Sequence, residues 1–370
     1  MSKNNDKYRQ QRLGDSRWID KFAIDSNDFD DDYSQAVQQT LPLDEGDHWS
    51  GLQFVSFGSG SSGNCAFLGN ENGGVLIDAG VDPEHVCHDL ATNGIDIKKV
   101  KGIVLTHDHA DHIRYAYKLV REHKHLRIYC TPRLMGGLLR HHNISRRIKD
   151  YQVSIFKEIP FFLAGMKFTA FETSHDAIDN MGFSIEVGDN TFVVATDMGI
   201  ITDRAAHYMS QANFLMIESN YDRQMLDSGR YPEYLKARVR GNLGHLDNAV
   251  ASSFVATHYH KALKWVFLCH LSNDNNTPEK ALAAMTTALE TQGVSVGDGT
   301  NSPDSRCRDV QVYALPRYDT SLWFVLWGVY GLWFMVYGLW KTVMRLDVLD
   351  DLESLESLES LENLESLENS

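Results

Sequence analysis

The chain has 370 residues, 43% of them hydrophobic and 23% charged, an ordinary apolar content that can bury one large core or two modest ones. Its formal net charge of −15 would argue against a polyanionic substrate if evenly spread, but residues 1–51 carry −5, residues 52–316 only −3, and residues 317–370 −7. Five cysteines (Cys65, Cys87, Cys130, Cys269, Cys307) without CxxC spacing, in a chain with no apolar N-terminal leader, point to reduced thiols in a cytoplasmic protein rather than a disulfide framework.

Residues 1–51 are polar, include the run Asp28-Phe29-Asp30-Asp31-Asp32, and are expected to be a disordered extension. Leu52–Phe57, Cys65–Leu68 and Val75–Asp78 read as strands leading into a helix at Pro83–Asn93. Val100–Thr106 is a buried-strand candidate, followed by a helix over His112–His123 and a strand at Ile128–Cys130. Further strands are predicted at Lys167–Phe171, Gly182–Val187, Thr191–Ala195 and Phe214–Glu218, with helices near Tyr231–Arg240 and Asp247–Tyr259. A strand at Trp265–Cys269, a helix over Pro278–Glu290, a polar loop near Gly297–Arg306 and a strand at Val310–Leu315 complete a domain spanning residues 52–316. Strand-rich blocks interleaved with helices imply an α/β fold of two sheets packed face to face with helices outside, an αββα sandwich with its site along one edge.

The tail, residues 317–370, is a different kind of sequence. Leu322–Trp340 holds nineteen consecutive residues without a charge, nearly enough to cross a bilayer, so association with a membrane through the tail is one reading. Yet Val329-Tyr330-Gly331-Leu332-Trp333 recurs as Val336-Tyr337-Gly338-Leu339-Trp340, and Leu352–Asn369 repeats Leu-Glu-Ser or Leu-Glu-Asn. Two unrelated short repeats suggest expanded nucleotide repeats read as protein, and a three-residue period fits an amphipathic helix poorly. Leu322–Ser370 is therefore expected to be dispensable for chemistry and harmful to solubility.

His107, His109, Asp111 and His112 lie within six residues at the exit of a buried strand. Imidazole and carboxylate suit zinc, manganese and similar divalent ions, and a strand exit lets alternate side chains converge on one point. One loop cannot complete two coordination spheres, so further ligands are expected at later strand ends. His175, Asp197 and His270 each follow such a strand.

This order, His-x-His-x-Asp-His followed by separate His, Asp and His, resembles that of dinuclear metallo-β-lactamase-fold hydrolases. The resemblance implies a four-layer αββα sandwich holding two divalent ions, zinc or manganese. His107, His109 and His175 would hold the first, Asp111, His112 and His270 the second, and Asp197 would bridge them. Ser56–Asn64, Glu218-Ser219-Asn220-Tyr221-Asp222, Gly229-Arg230-Tyr231-Pro232, Gly244-His245-Leu246 and His270–Glu279 are similar to the YycJ/WalJ-type branch, related to ribonuclease Z and associated with 5′-exonuclease activity on DNA. The similarity covers about residues 52–316, with one departure: Asp247 stands where relatives commonly have serine.

The function so implied is a phosphodiesterase or 5′-exonuclease acting on nucleic acid, DNA first, through a metal-bridging hydroxide. Asp111 would orient that nucleophile and take its proton, and His245, similar to the non-ligand histidine of ribonuclease Z, would protonate the leaving oxygen. Two basic stretches could track a phosphate backbone: Arg133, Arg140, His141, His142, Arg146, Arg147 and Lys149, and Arg230, Lys236, Arg238 and Arg240. Ser59–Asn64 offers backbone N–H groups to an anion, or is simply a tight turn. The alternatives are a thioester or lactone hydrolase with the same ligand order, and a membrane-tethered scaffold, against which the complete ligand set argues.

Overall fold

The computed structural model describes residues 51–300 and 302–326; the acidic extension and the repeats after Leu326 lie outside the described residues. The first half runs β1 (Leu52–Gly58), β2 (Cys65–Asn70), β3 (Gly73–Ile77), α1 (Pro83–Thr92), β4 (Val100–Val104), α2 (Ala110–Ile113), α3 (Ala116–Glu122), β5 (Ile128–Cys130), α4 (Pro132–His141) and β6 (Gln152–Ser154). Then come β7 (Phe161–Leu163), β8 (Met166–Glu172), β9 (Met181–Val187), β10 (Asn190–Ala195), α5 (Asp203–Met209), β11 (Phe214–Glu218), α6 (Arg223–Ser228), α7 (Glu233–Arg240) and α8 (Asn248–Thr257). The remainder is β12 (Trp265–Cys269), α9 (Pro278–Thr291), β13 (Val296–Gly297), α10 (Pro303–Arg306), β14 (Val310–Ala314) and β15 (Phe324–Leu326).

Among the described residues the strands form two mixed sheets flanked by helices, the αββα sandwich that the strand and helix pattern implies. One sheet has the order β15-β1-β2-β3-β4-β5-β6 and the other β13-β14-β12-β11-β10-β9-β8-β7. Each has an antiparallel part (β15 to β3; β7 to β10) and a parallel part (β3 to β6; β10 to β14). Parallel strands are covered on both faces, which is why β11 and β12 read as unbroken apolar runs rather than as alternation. Between the sheets Phe54 meets Phe192 and Phe267 with ring centroids 5.0 and 4.6 Å apart. A second core, including Leu215, Leu268, Val255 and Met285, lies between the β11/β12 sheet and helices α8 and α9.

Two expectations need correction. The helix over His112–His123 is broken between Ile113 and Ala116, because Ala79 N donates to His112 O and Tyr115 N donates to Ala79 O, tying this segment to the exit of β3. The domain also does not finish at residue 316. β15 pairs antiparallel with β1, and Phe324 enters the inter-sheet core with its ring 5.0 Å from that of Phe267. Arg317 bonds Leu271 O and Asn273 Oδ1, while Ser321 Oγ accepts from Ser56 N. Phe324–Leu326 of the uncharged run are thus sheet, and among the described residues no helix is long and apolar enough to cross a membrane.

Candidate metal centre

The strands β4, β8, β10 and β12 deliver their C-terminal ends to one edge of the sandwich, where open α/β sheets place ligands. β4 feeds His107, His109, Asp111 and His112; β8 leads to His175, β10 to Asp197 and β12 to His270. All seven come together. His107, His109 and His175 form one group of donor atoms within 4.8 Å of one another, and Asp111, His112 and His270 a second. Asp197 lies against both: its Oδ2 is 3.3 Å from His112 Nε2, and its Oδ1 is 3.1 Å from His270 Nδ1 and 3.8 Å from His175 Nε2.

The rings are aimed by groups behind them. His112 Nδ1 donates to Asp78 at 2.7 Å, and His175 Nδ1 donates to Gly244 O at 2.9 Å. His107 Nδ1 lies 3.0 Å from Thr106 Oγ1, whose hydroxyl donates to Asp78. These contacts hold each ring by its Nδ1 and leave Nε2 as the nitrogen available to the centre. Asp78, Asp197 and His270 all adopt positive φ (61°, 53° and 53°), a conformation non-glycine residues hold only where the surroundings enforce it.

The residues fit a cation. The Nε2 atoms of His107 and His270 are buried and hydrogen-bonded to nothing in the protein, an unfavourable state for an imidazole unless something takes the lone pair. Burial pushes the His107 ring well below the usual histidine range, aided by the nearby His112. Burial would raise Asp111, but His112 and His270 outweigh it and hold the carboxyl at about 2. Burial would likewise raise Asp197, and His270 and His112 instead hold it well below the usual carboxylate range. Two ionised carboxylates among clustered imidazoles are the donor set of a divalent-ion site.

Three residues not singled out individually from the sequence complete the site. Glu218, fully buried at the end of β11, accepts from His245 Nδ1 at 2.7 Å and lies 3.1 Å from His270 Nδ1. Its other oxygen accepts from Met198 N and Leu246 N. Asp78 braces His112, and Asn64 Nδ2 reaches Asp111 Oδ2 at 3.2 Å. A signal for Glu218 and Asp78 did exist, since each is a carboxylate closing a fully apolar run. His245 lies at the rim, its ring 4.9 Å from that of His175 and 5.2 Å from that of His270.

The loop over Ser59–Asn64 is a brace. Ser59 N donates to Pro316 O, Gly63 N to Gly60 O and Asn64 N to Asp111 O, while Ser59 Oγ accepts from His270 N. Asp247 caps α8 by accepting from Ala249 N and pairs with Arg223, which gives the unusual acidic residue a structural task. The second basic stretch is largely engaged internally: Lys236 with Asp227 O and Glu233, Arg238 with Asp176, Arg240 with Asp227. Beside His175 a cleft of about 380 Å³ opens, lined also by Arg133, Ile178, Thr202, Arg204 and Leu243.

A family model described as a beta-lactamase superfamily domain matches residues 74–260. The exodeoxyribonuclease YycJ of Bacillus anthracis is 30% identical over 257 residues, 69% of this chain and 96% of that protein. The exodeoxyribonuclease WalJ of Streptococcus pneumoniae serotype 2 (strain D39) is 29% identical over 248 residues, 67% of this chain and 91% of that protein. Among solved structures, the metallo-beta-lactamase fold protein YhfI from Bacillus subtilis superposes with a TM-score of 0.51 at 14% identity, over 73% of this chain and 99% of that one.

Proposed function

The chain belongs to the beta-lactamase superfamily domain family of hydrolases, and on that premise we propose that it is a dinuclear-metal-dependent exonuclease acting on DNA. His107, His109 and His175 would hold one divalent ion, Asp111, His112 and His270 the other, with Asp197 between them. Zinc or manganese bound there would neutralise phosphodiester charge and lower the pKa of water. The 5′-end preference is the one implied by the sequence resemblance, and free thiols among the described residues fit a reducing, cytoplasmic setting.

The observation that carries this reading is the pair His245 and Glu218. His245 Nδ1 donates to a buried carboxylate at 2.7 Å, which fixes the ring and leaves Nε2 as the nitrogen free to serve a substrate at the rim. An alkoxide leaving from phosphorus needs a proton; a thiolate leaving from a thioester does not. Burial would raise Glu218, but His245 outweighs it and lowers the carboxyl, so it is an ionised partner at neutral pH. Asp111, kept ionised by His112 and His270, is able to orient the attacking water and take its proton.

The test is to give the metal-loaded chain single-stranded DNA and, separately, a glutathione thioester and a lactone. Release of nucleotides from DNA with negligible thioester or lactone turnover is the expected result. Efficient thioester or lactone hydrolysis with intact DNA would overturn the reading.

A further inference from the structure

Helix α4 carries two adjacent glycines in its middle, Gly136 and Gly137, each less favourable than alanine by about 1 kcal/mol. Gly137 is explained by packing: a Cβ there would lie 2.8 Å from Asp108 Oδ2 and 3.1 Å from Ile178, so bare backbone lets the helix close on the loop bearing the metal-site histidines. Gly136 has no such neighbour. The nearest atom to a Cβ at that position is Nη1 of Arg140, 3.2 Å away, the far end of a flexible side chain.

Arg133, Gly136 and Arg140 are spaced by three and four residues and so share one helix face, which rises about 10 Å between the two arginines. The face starts at the cleft beside His175, where Arg133 forms part of the wall. Beyond the helix, Arg146, Arg147 and Lys149 follow in a 3-10 helix, Arg146–Tyr151. All five cations are exposed, and among the described residues none lies in an ion pair, unlike Lys236, Arg238 and Arg240. A stripe of unpaired cations that leads away from the candidate metal centre, with the Arg140 guanidinium laid against Gly136 in its middle, is complementary to a run of phosphates. The two helix arginines, about 10 Å apart along the axis, are far enough apart to meet different phosphates of one strand.

We propose that this face is the track for the uncleaved part of the substrate strand, with phosphates paired to Arg133, Arg140 and the Arg146–Lys149 cations and the backbone passing over Gly136. The proposal rests on the exonuclease reading above. It makes binding depend on strand length, which a site confined to the metal centre does not.

The test uses the full chain, treated with chelator so that nothing is cleaved, and fluorescence anisotropy with single-stranded DNA of about 4 and about 16 nucleotides across a salt series. The triple variant Arg140→Ala, Arg146→Ala, Arg147→Ala is expected to bind the longer strand more weakly, with the salt slope reduced by about 0.7 for each lost contact. Binding of the short strand, and hydrolysis of bis(p-nitrophenyl) phosphate by the metal-loaded variant, should match the parent. Gly136→Leu, which adds bulk without changing charge, should weaken the long strand while leaving the slope as it was. If the parent degrades DNA and the triple variant retains parental affinity and slope, the track is wrong and the exonuclease reading stands. If the parent neither binds nor degrades DNA, both fall.

Discussion

The Glu218 carboxylate lies 2.7 Å from His245 Nδ1 and 3.1 Å from His270 Nδ1, so one buried side chain touches both the candidate proton donor and a candidate metal ligand. Removing the donor alone should therefore spare the metal. His245→Ala is expected to keep two equivalents of metal and to lose about 10²–10⁴-fold in turnover of DNA, with a smaller loss on bis(p-nitrophenyl) phosphate, whose leaving group needs little protonation. Glu218→Gln should show the same substrate dependence and, in addition, weaker metal retention. Equal losses on both substrates in His245→Ala would remove the proton-donor role.

Asp78 presents a second such relationship, 2.7 Å from His112 Nδ1, and it also accepts from Thr106 Oγ1, which contacts His107. Carboxylates behind metal-bound histidines typically contribute about 10–100-fold in affinity. Asp78→Asn is expected to fall in that range when zinc affinity is measured by competition with a chromophoric chelator. An affinity equal to the parent's would mean that the rings hold their orientation without it.

In the apoprotein, burial would lower the His270 ring, but Asp197, with further help from Asp111 and Glu218, pushes it up to about 10. Its folded value thus lies above the unfolded one of about 6.5, so its contribution to apoprotein stability is complete below that pH and is lost as pH rises through about 10. A cation needs the lone pair that this proton occupies. Zinc binding near pH 7.5 should therefore release at least about one proton, read from calorimetry in buffers of different ionisation heat. Heats independent of buffer would contradict the assignment of His270 as a ligand.

β15 predicts where the chain can be shortened. Ending it after Leu315 removes Phe324 from the inter-sheet core together with the Arg317 and Ser321 hydrogen bonds. Losing a buried phenylalanine costs about 3–5 kcal/mol, so this chain should unfold at markedly lower urea concentration. A chain ended after Leu326 should keep the parental midpoint and metal content. Matching midpoints for both would show that β15 contributes little.

Much of the site is visible in the sequence because strand exits are visible. Apolar runs ending at Thr106, Thr173, Thr196 and Cys269 place His107, His175, Asp197 and His270 at one edge of the sandwich once the two sheets are packed together. Asp78 and Glu218 are harder to read, because a carboxylate after a strand resembles a turn residue until burial shows that it faces histidines. β6 and β7 have three residues each, too few to display a period. β15 is hidden inside an uncharged run whose length suggests a different environment. The two basic stretches look alike as sequence, and only the positions of Asp176, Asp227 and Glu233 separate the paired one from the free one.

The most direct test of the account is a titration of turnover against metal. Protein stripped with chelator is given increasing manganese or zinc, and nucleotide release from single-stranded DNA is measured beside bound metal, for the parent and for Asp197→Asn, which alters the carboxylate shared by both ligand groups. The rate is expected to rise to a plateau at about two equivalents in the parent and to stay near background in the variant, which retains little metal. Two tightly bound equivalents with no release of nucleotides from the parent, or full release by the stripped protein, would contradict it.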